Sequence, residues 1–267
     1  MKTITSLDNQ IVKMTAGLSE KKYRDREQAY ILEGPNMIRE VLLQSGKARF
    51  IFLRAESESE EARQLAEKAD KNGLAVYEVS DSVFHKLSQT ENSQDILAVI
   101  EKPHISREDF FMNARSKNIL VIDRVQDPGN IGTLLRTAEA AGFAGALFIK
   151  GSGDPFSPKA VRAASGSTER LPIIFAESAN DALAILKTNG KKVFATAMNA
   201  TNIYYEADLR NDVAIVVSNE GNGASKEILE AADEILSIPM DGKTESLNVA
   251  IASGIIMFES RRQRYDR

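Results

Sequence analysis

The 267-residue chain contains no cysteine, which excludes disulfide bonds, thiolate nucleophiles and cysteine-based zinc sites. Histidine is almost as scarce, since His85 and His104 are the only two, and no metal or histidine-based catalytic centre is expected. No apolar run reaches the length of a membrane span. The first residues, MKTITSLDNQIVKM, lack the apolar region of a signal peptide. These absences favour a cytoplasmic enzyme or binding protein.

An excess of charge of one sign is also missing, because the formal net charge is only −4. Proteins that bind nucleic acid through general electrostatics are usually basic, so the total gives that function no support. Two segments are nevertheless locally basic, namely KMTAGLSEKKYRDR (13–26) and the tail Arg261-Arg262-Gln263-Arg264. Charge alone leaves both interpretations open, a solvated helix face or a contact surface for a polyanion.

Apolar strand patterns alternate with helix patterns along the whole chain. Strands are predicted at 28–33, 48–53, 74–79, 96–100, 119–122, 144–149, 193–195 and 213–217, and helices at 34–44, 57–69, 130–141, 179–187, 226–232 and 247–261. The polar stretch 102–117 shows no clear period and is predicted to be a linker between residues 1–101 and 118–267. Such alternation predicts an α/β fold with a parallel sheet covered on both faces.

Three turn-rich motifs follow apolar strands of the second half. They read DRVQDPGNIGTLLRTAEAAGF (123–143), VSNEGNGAS (217–225) and IPMDGKTESLNVAIASG (238–254). Because ligands of open parallel sheets bind at the carboxyl ends of the strands, we expect the three motifs to form one site. This placement alone does not identify the ligand.

In motif one, the run Asp127-Pro128-Gly129-Asn130 predicts a turn followed by a helix with Asn130 as its N-cap. Arg136 falls off the apolar stripe of that helix, where an arginine is most often a surface residue or one member of an ion pair. In motif two, the glycine spacing fits neither a Rossmann fingerprint nor a P-loop. Its Glu220 argues against an anionic ligand at that turn.

The last helix of the chain is predicted to be apolar nearly all round over residues 248–257. A helix of this kind is buried on several sides. It is therefore either an internal core helix or part of a subunit interface. Ser246 and Asn248 flank its start, where both residue types serve as helix caps.

Taken together, the motifs resemble those of the SpoU (TrmH) family of RNA ribose 2′-O-methyltransferases, within the SPOUT superfamily. Asn130 and Arg136 match an asparagine and an arginine spaced six residues apart, and Glu220 with Gly221 and Gly223 matches a glutamate between glycines. The segment SPKAVRAASGSTERLPI (157–173) also resembles the family. The third motif is matched by Ile238, Pro239, Gly242, Ser246, Leu247, Asn248 and Val249. The chain departs from the family at Ser218, where glycine is usual.

The resemblance implies a C-terminal SPOUT-type domain with a trefoil knot, and a homodimer joined through that domain. S-adenosylmethionine is the implied cofactor. Its pocket is expected to include Ser218, Gly221, Ile238, Met240 and Leu247. Catalytic or positioning roles are implied for Asn130, Arg136, Glu220, Ser246 and Asn248.

The N-terminal part is similar to the family's small α/β substrate-binding domain, on the strength of YILEGPNMIREVL (30–42) and the basic residues ahead of it. Lys21, Lys22, Arg24 and Arg26 are therefore expected to contact RNA. Ribosomal RNA is expected rather than transfer RNA, by analogy alone.

The resemblance implies that Arg136 is the base that deprotonates the ribose hydroxyl. A guanidinium holds its proton too tightly for that role, so the alternative is that Arg136 binds phosphate and stabilises developing negative charge. Three other functions remain open, namely an RNA base methyltransferase of the same superfamily, a noncatalytic RNA-binding protein and a generic Rossmann nucleotide-binding enzyme.

Overall fold

The computed structural model describes residues 1–44, 47–88, 90, 93–197, 200–219, 223–242 and 246–265. The strands are β1 Lys2–Ile4, β2 Ala29–Glu33, β3 Ala48–Arg54, β4 Ala75–Val79, β5 Ile96–Glu101, β6 Ile119–Asp123, β7 Ala146–Ile149, β8 Ile173–Ala176, β9 Lys192–Thr196, β10 Asn202–Ile203, β11 Val213–Ser218 and β12 Glu234–Ser237. The helices are α1 Gln10–Gly17, α2 Lys21–Glu27, α3 Pro35–Gln44, α4 Glu60–Lys71, α5 Asp81–Leu87, α6 Arg107–Asn113, α7 Pro128–Ala140, α8 Pro158–Ala164, α9 Ser167–Arg170, α10 Ala179–Thr188, α11 Lys226–Ala231 and α12 Val249–Tyr265.

The chain divides into two compact units. Unit 1 comprises Met1–Lys102 and Phe156–Gly166, and unit 2 comprises Pro103–Pro155 and Ser167–Arg267. Helix α8 therefore belongs to unit 1, although its sequence lies between elements of unit 2. Its place is fixed by apolar packing, because the ring of Phe156 lies 5.4 Å from the buried ring of Tyr30 on β2.

Unit 1 is built on a five-stranded mixed sheet in the order β1-β4-β3-β5-β2. Strand β5 runs antiparallel to both neighbours, and Ile31 of β2 lies opposite Val99. The remaining pairs, β1 with β4 and β4 with β3, are parallel. One face of the sheet packs on α1 and α5 around an apolar core that includes Phe52 and Phe84.

Unit 2 contains a seven-stranded sheet in the order β10-β12-β9-β11-β6-β7-β8, and all the pairs are parallel. The prediction of a parallel α/β sheet is confirmed for this unit. Strands β6 and β11 are buried along their whole length, with Val216 opposite Val121 and Ser218 opposite Asp123. The carboxyl ends of these two strands therefore place motif one and motif two side by side.

The stretch predicted as a linker contains a helix, α6, and that prediction is wrong for residues 107–113. The Ser106 hydroxyl caps the helix by accepting a 3.0 Å hydrogen bond from the Asp109 N–H. Phe110 and Phe111 are buried in the core of unit 2. A Cβ on Gly145 would lie 2.3 Å from the Phe110 ring, so this glycine leaves the space that the ring fills. The helix has only seven residues, too few for a period to show in the sequence.

The last helix, α12, is buried on one side only within the described chain. Val249, Ala250, Ser253, Ile256, Met257 and Ser260 are buried. Ile251, Phe258 and Tyr265 are exposed by 57%, 45% and 72%. The interpretation as an internal core helix is therefore wrong for the single chain, and the exposed apolar face favours the alternative of a subunit interface.

Candidate active site

The start of α7 is fixed by Asp127, which follows β6 closely. Its carboxylate accepts a 2.8 Å hydrogen bond from the Asn130 N–H, and Pro128 occupies the first helical turn. Proline is favoured at the first helical position because its missing N–H has no partner there anyway. The prediction that Asn130 is the N-cap is therefore wrong. With the cap at Asp127, the Asn130 side chain is available for other contacts.

The side chain of Asn130 meets that of Asn248 at the start of α12. The Asn248 amide nitrogen donates to Asn130 Oδ1 over 2.9 Å. Asn248 Oδ1 in turn accepts 2.9 Å and 3.4 Å bonds from the N–H groups of Ala250 and Ile251 and so caps α12, as the sequence predicts. This contact brings motif one and motif three together at one place.

Arg136 lies on α7, six residues beyond Asn130. Six residues of helix correspond to an advance of about 9 Å and a rotation that leaves the two side chains about 120° apart. Arg136 is exposed, and its guanidinium makes no hydrogen bond or ion pair with the residues that the structure describes. Its donors therefore face solvent, and a phosphate or a developing oxyanion has access to them.

Motif two begins where β11 ends. Ser218 is buried, with 8% of its surface exposed. Beyond it, Asn219 and Gly223 form an antiparallel bridge, and the Gly223 N–H donates to the Asn219 carbonyl over 2.9 Å. The predicted site residues Glu220 and Gly221 lie outside the described residues.

Two residues that the sequence did not single out, Asp123 and Arg124, hold this turn. The Asp123 carboxylate is 1% exposed and accepts from the Arg124 Nε over 3.1 Å and from the Ser225 N–H over 2.8 Å. Arg124 Nη2 also donates to the Gly223 carbonyl over 3.1 Å. The position of Asp123 at the end of an apolar strand was the available sequence signal, because a carboxylate there must find donors.

The predicted cofactor residues of motif three follow β12 and precede α12. Ile238 and Leu247 are half-buried, and Met240 is 40% exposed. Ser246, proposed from the sequence as a positioning residue, is exposed beside them in the chain. Solvent-accessible apolar side chains at the carboxyl edge of a parallel sheet suit a ligand that has an apolar part.

A second carboxylate cluster lies where α9 packs on α7. Glu139 accepts from the Ser167 hydroxyl over 2.5 Å and from the Arg170 guanidinium, with Nη2 at 3.0 Å. Burial raises the pKa of the Glu139 carboxyl, but these hydrogen bonds outweigh it and the net pKa is lowered. Burial alone raises the pKa of the neighbouring Glu169 to about 7. Within the described chain the Oε1 atom of Glu169 has no hydrogen-bond partner.

In unit 1, the predicted RNA-contacting residues divide into two groups. Lys21, Lys22 and Arg26 are exposed on α2, and Lys22 and Arg26 lie over the Tyr23 ring, 4.8 Å and 4.9 Å from its centroid. Arg24, in contrast, is 3% exposed, and its Nη1 donates to the carbonyls of Leu18 and Ser19, both over 2.7 Å. The prediction that Arg24 contacts RNA is therefore wrong, because its charge is already used to hold α1 and α2 together.

Neither a metal site nor a membrane-spanning helix is found among the described residues. No group of three or more histidine, cysteine or acidic side chains is arranged to hold a metal ion there. The described helices also include none that is long and apolar enough to span a bilayer.

The chain matches the SpoU rRNA Methylase family over residues 117–258 and the MRM3-like substrate binding domain over residues 9–98. The segment that carries the three motifs is thus a SpoU methylase domain, and the chain belongs to this family. The resemblance predicted from the motifs is confirmed.

Named relatives agree with this assignment over nearly the full chain. The 23S rRNA (guanosine(2553)-2'-O)-methyltransferase RlmP of Bacillus subtilis (strain 168) is 34% identical over 261 residues, which cover 98% of this chain and 100% of that protein. The 23S rRNA (guanosine-2'-O-)-methyltransferase RlmB of Neisseria meningitidis serogroup B is 29% identical, covering 88% and 92%. The AdoMet-bound rRNA methyltransferase of Sinorhizobium meliloti superimposes with a TM-score of 0.87 at 32% identity, covering 98% and 97%.

Proposed function

We propose that this protein transfers a methyl group from S-adenosylmethionine to a ribose 2′-hydroxyl of ribosomal RNA in the cytoplasm. The observation that carries the proposal is the hydrogen bond between Asn248 and Asn130. It joins motif three to motif one, whose helix α7 also carries Arg136. Relatives that match nearly the whole chain are named for this reaction on 23S rRNA, and one solved relative is named as AdoMet-bound.

The residues at the carboxyl edge of the unit 2 sheet fit the proposed cofactor. S-adenosylmethionine has an aromatic base, an aliphatic chain and a sulfonium that supplies an electrophilic methyl group. Partly exposed Ile238, Met240 and Leu247 offer apolar contacts to the base and the chain. Backbone groups at Ser218, Asn219 and Gly223 would contribute the polar contacts, because a glycine allows a ligand close to the backbone.

The chain's own residues must activate and align a weakly acidic hydroxyl. Arg136 cannot act as an efficient base at neutral pH, since a guanidinium holds its proton too tightly. We therefore assign it to the phosphate next to the reacting ribose and to the charge that develops on the oxygen. As the oxygen–methyl bond forms, the bond from the methyl to sulfur would break and release S-adenosylhomocysteine, and the hydroxyl proton would leave late to solvent water. Asn130 and Asn248, which are bonded to each other, would orient the ribose, and Ser246 would position cofactor or ribose. Glu220 would order the site.

A homodimer joined through unit 2 is part of the proposal. The exposed face of α12 carries Ile251, Phe258 and Tyr265, and a second copy of this chain would remove these apolar side chains from water. Asn130 and Arg136 lie about 120° apart around α7. In a dimer, one of them would therefore serve a site within its own protomer and the other could reach a site of the partner. The trefoil knot implied by the family stays a prediction.

Unit 1 would hold the RNA by shape and phosphate contacts, with the exposed Lys21, Lys22 and Arg26 as the contact residues. The nucleotide is proposed to be a guanosine of 23S rRNA, because the relatives RlmP and RlmB are both named for guanosine.

The decisive experiment is methyl transfer from S-adenosylmethionine labelled in its methyl group to total RNA from a strain that lacks the gene. The RNA is separated by size, digested to nucleosides and analysed. Label in a 2′-O-methylguanosine from 23S rRNA is the expected result. Label on a base would assign the protein to base methylation instead, and label in transfer RNA would correct the substrate. No label together with no cofactor binding would support a noncatalytic RNA-binding protein.

A further inference from the structure

Arg124, directly after β6, has a left-handed backbone conformation with φ 58°. Side chains of L-amino acids are disfavoured there because Cβ approaches the carbonyl oxygen, and glycine is the usual solution. A long charged side chain at this position indicates that its contacts outweigh the conformational cost. The contacts of the side chain therefore need a functional explanation.

These contacts reach the far side of motif two. Arg124 Nη2 donates to the Gly223 carbonyl over 3.1 Å, and Nε donates to Asp123 Oδ1 over 3.1 Å. The other oxygen of Asp123 accepts the Ser225 N–H over 2.8 Å. The pair thus holds two backbone groups immediately beyond residues 220–222.

The near side of the same turn is attached to the same two residues. Asn219 Nδ2 donates to the Arg124 carbonyl over 3.5 Å, and Ser218 pairs with Asp123 in the sheet register. The Arg124 N–H also donates to the Ser152 hydroxyl over 2.9 Å, which connects the turn to the loop after β7. Both flanks of residues 220–222 are therefore fixed to the end of β6.

We propose that Arg124 and Asp123 are positioning residues that set the affinity of the site for S-adenosylmethionine by holding Asn219, Gly223 and Ser225 of motif two. The inference rests on the proposed function, because it places the cofactor at this edge of the sheet. Without the guanidinium, the buried Asp123 carboxylate would lose the cation beside it, and the Gly223 carbonyl would lose a charged donor. Asn219, Gly223 and Ser225 would then no longer be held in one position beside the cofactor.

The test compares R124G, R124K and D123N with S116G as a matched control. Ser116 is an exposed residue of unit 2 that also has φ 58°, so its replacement by glycine relieves the same backbone conformation away from the site. The dissociation constant for S-adenosylmethionine is measured by calorimetry. KM for cofactor, KM for RNA, kcat and Tm are measured in parallel.

We expect R124G to weaken cofactor binding about tenfold, the effect of losing a charged hydrogen bond. KM for RNA should change little. R124K should recover part of the affinity, because an ammonium can reach one acceptor but not span two. D123N should resemble R124G, and S116G should resemble the wild type.

Unchanged cofactor affinity in both R124G and R124K would overturn the positioning role while leaving the proposed function in place. An equal loss of affinity in S116G would also overturn it, because backbone relief or general stability would then be the cause. If the wild-type protein itself does not bind S-adenosylmethionine, the proposed function fails and the positioning role fails with it. Should R124G fold poorly, R124K decides the test, since it keeps the charge.

Discussion

Asn248 makes two kinds of contact with the two ends of its amide, because its nitrogen donates to Asn130 Oδ1 and its oxygen caps α12. The two functions can be separated by substitution. N248D keeps an oxygen for the cap but loses the donor, and N248A loses both. We expect N248A to lower Tm by about 2–4 °C, the effect of losing about 1 kcal/mol of capping energy.

N248D should keep the Tm of the wild type, since an aspartate is also a good N-cap, but its turnover should fall at least about tenfold because the bond to Asn130 is lost. The measurements are thermal unfolding and methyl transfer on the same preparations. Full turnover in N248D would contradict a role for this bond in the site.

Arg136 is predicted to act through a bidentate guanidinium. R136A should lower kcat by about 10²- to 10³-fold, the usual effect of removing one donor to a developing oxyanion. R136K should remain well below the wild type, since an ammonium lacks the planar pair of donors. Neither substitution should change Tm, because Arg136 is exposed. R115K, at another exposed position of unit 2, is the control. Near-wild-type turnover in R136K would contradict the role of a bidentate guanidinium.

The α2 surface is predicted to contact RNA phosphates. Replacing Lys21, Lys22 and Arg26 by alanine should weaken RNA binding and make the slope of log K against log salt shallower by about 2 to 3, if each cation neutralises one phosphate. The control is the double variant K68A/K71A, which removes two exposed lysines of α4. Its RNA affinity is measured over the same range of salt concentrations. An unchanged slope in the α2 variant would mean that another surface binds the RNA.

Arg24 should behave differently from its neighbours on α2. R24A removes two charged hydrogen bonds to the carbonyls of Leu18 and Ser19 and should lower the free energy of unfolding by about 2 kcal/mol or more. The salt slope of RNA binding by the folded variant should equal that of the wild type. A reduced slope with unchanged stability would restore Arg24 to the RNA-contacting set.

Glu169 should make the protein less stable at neutral and higher pH than at acidic pH. Burial raises its pKa to about 7 in the folded state from the ordinary 4.5, so the folded protein binds more protons than the unfolded one between these values. Stability from this residue is therefore greatest below pH 4.5, falls as pH rises to about 7, and is constant above that. E169Q should exceed the wild type at pH 8 by up to about 3 kcal/mol.

Thermal or urea unfolding at pH 5 and pH 8 checks this prediction. The advantage of E169Q should shrink at pH 5, where the wild-type carboxyl is mostly protonated in the folded state. E67Q, on an exposed part of α4, should show no such pH dependence. Equal stability of E169Q and the wild type at pH 8 would mean that the carboxylate is solvated after all.

Strands β6, β7, β9 and β11 and the longer helices of unit 2 were predicted from the sequence, because β6 and β11 are apolar runs whose burial leaves no ambiguity. The short strands β8, β10 and β12 were not predicted. Helix α6 was not, since a pair of adjacent phenylalanines in seven residues gives no period. The cap at Asp127 had a readable signal that was missed, namely a proline immediately after it. Burial of Arg24 could not be predicted from KKYRDRE, because charged residues occupy every side of this helix and do not indicate which side is buried.

The residues of the site were likewise predicted only in part. The family motifs identified Asn130, Arg136 and Asn248, but their mutual contacts depend on tertiary placement, since Asn130 and Asn248 are separated by 118 residues. The role of Asp123 and Arg124 was not predicted from the sequence, because two charged residues after a strand most often lie in a solvated turn. Only the structure reveals that the partners are backbone groups of a second motif.

Strand β11 lies between β9 and β6, although it is the last of the three to be synthesised. A growing chain that has not yet reached residue 213 therefore carries β6 with one edge of unpaired N–H and C=O groups. Such an edge is a template for pairing with other chains, and pairings this distant in sequence are slow to form. Gene truncations or premature stops between β9 and β11 should consequently yield insoluble fragments rather than small stable domains.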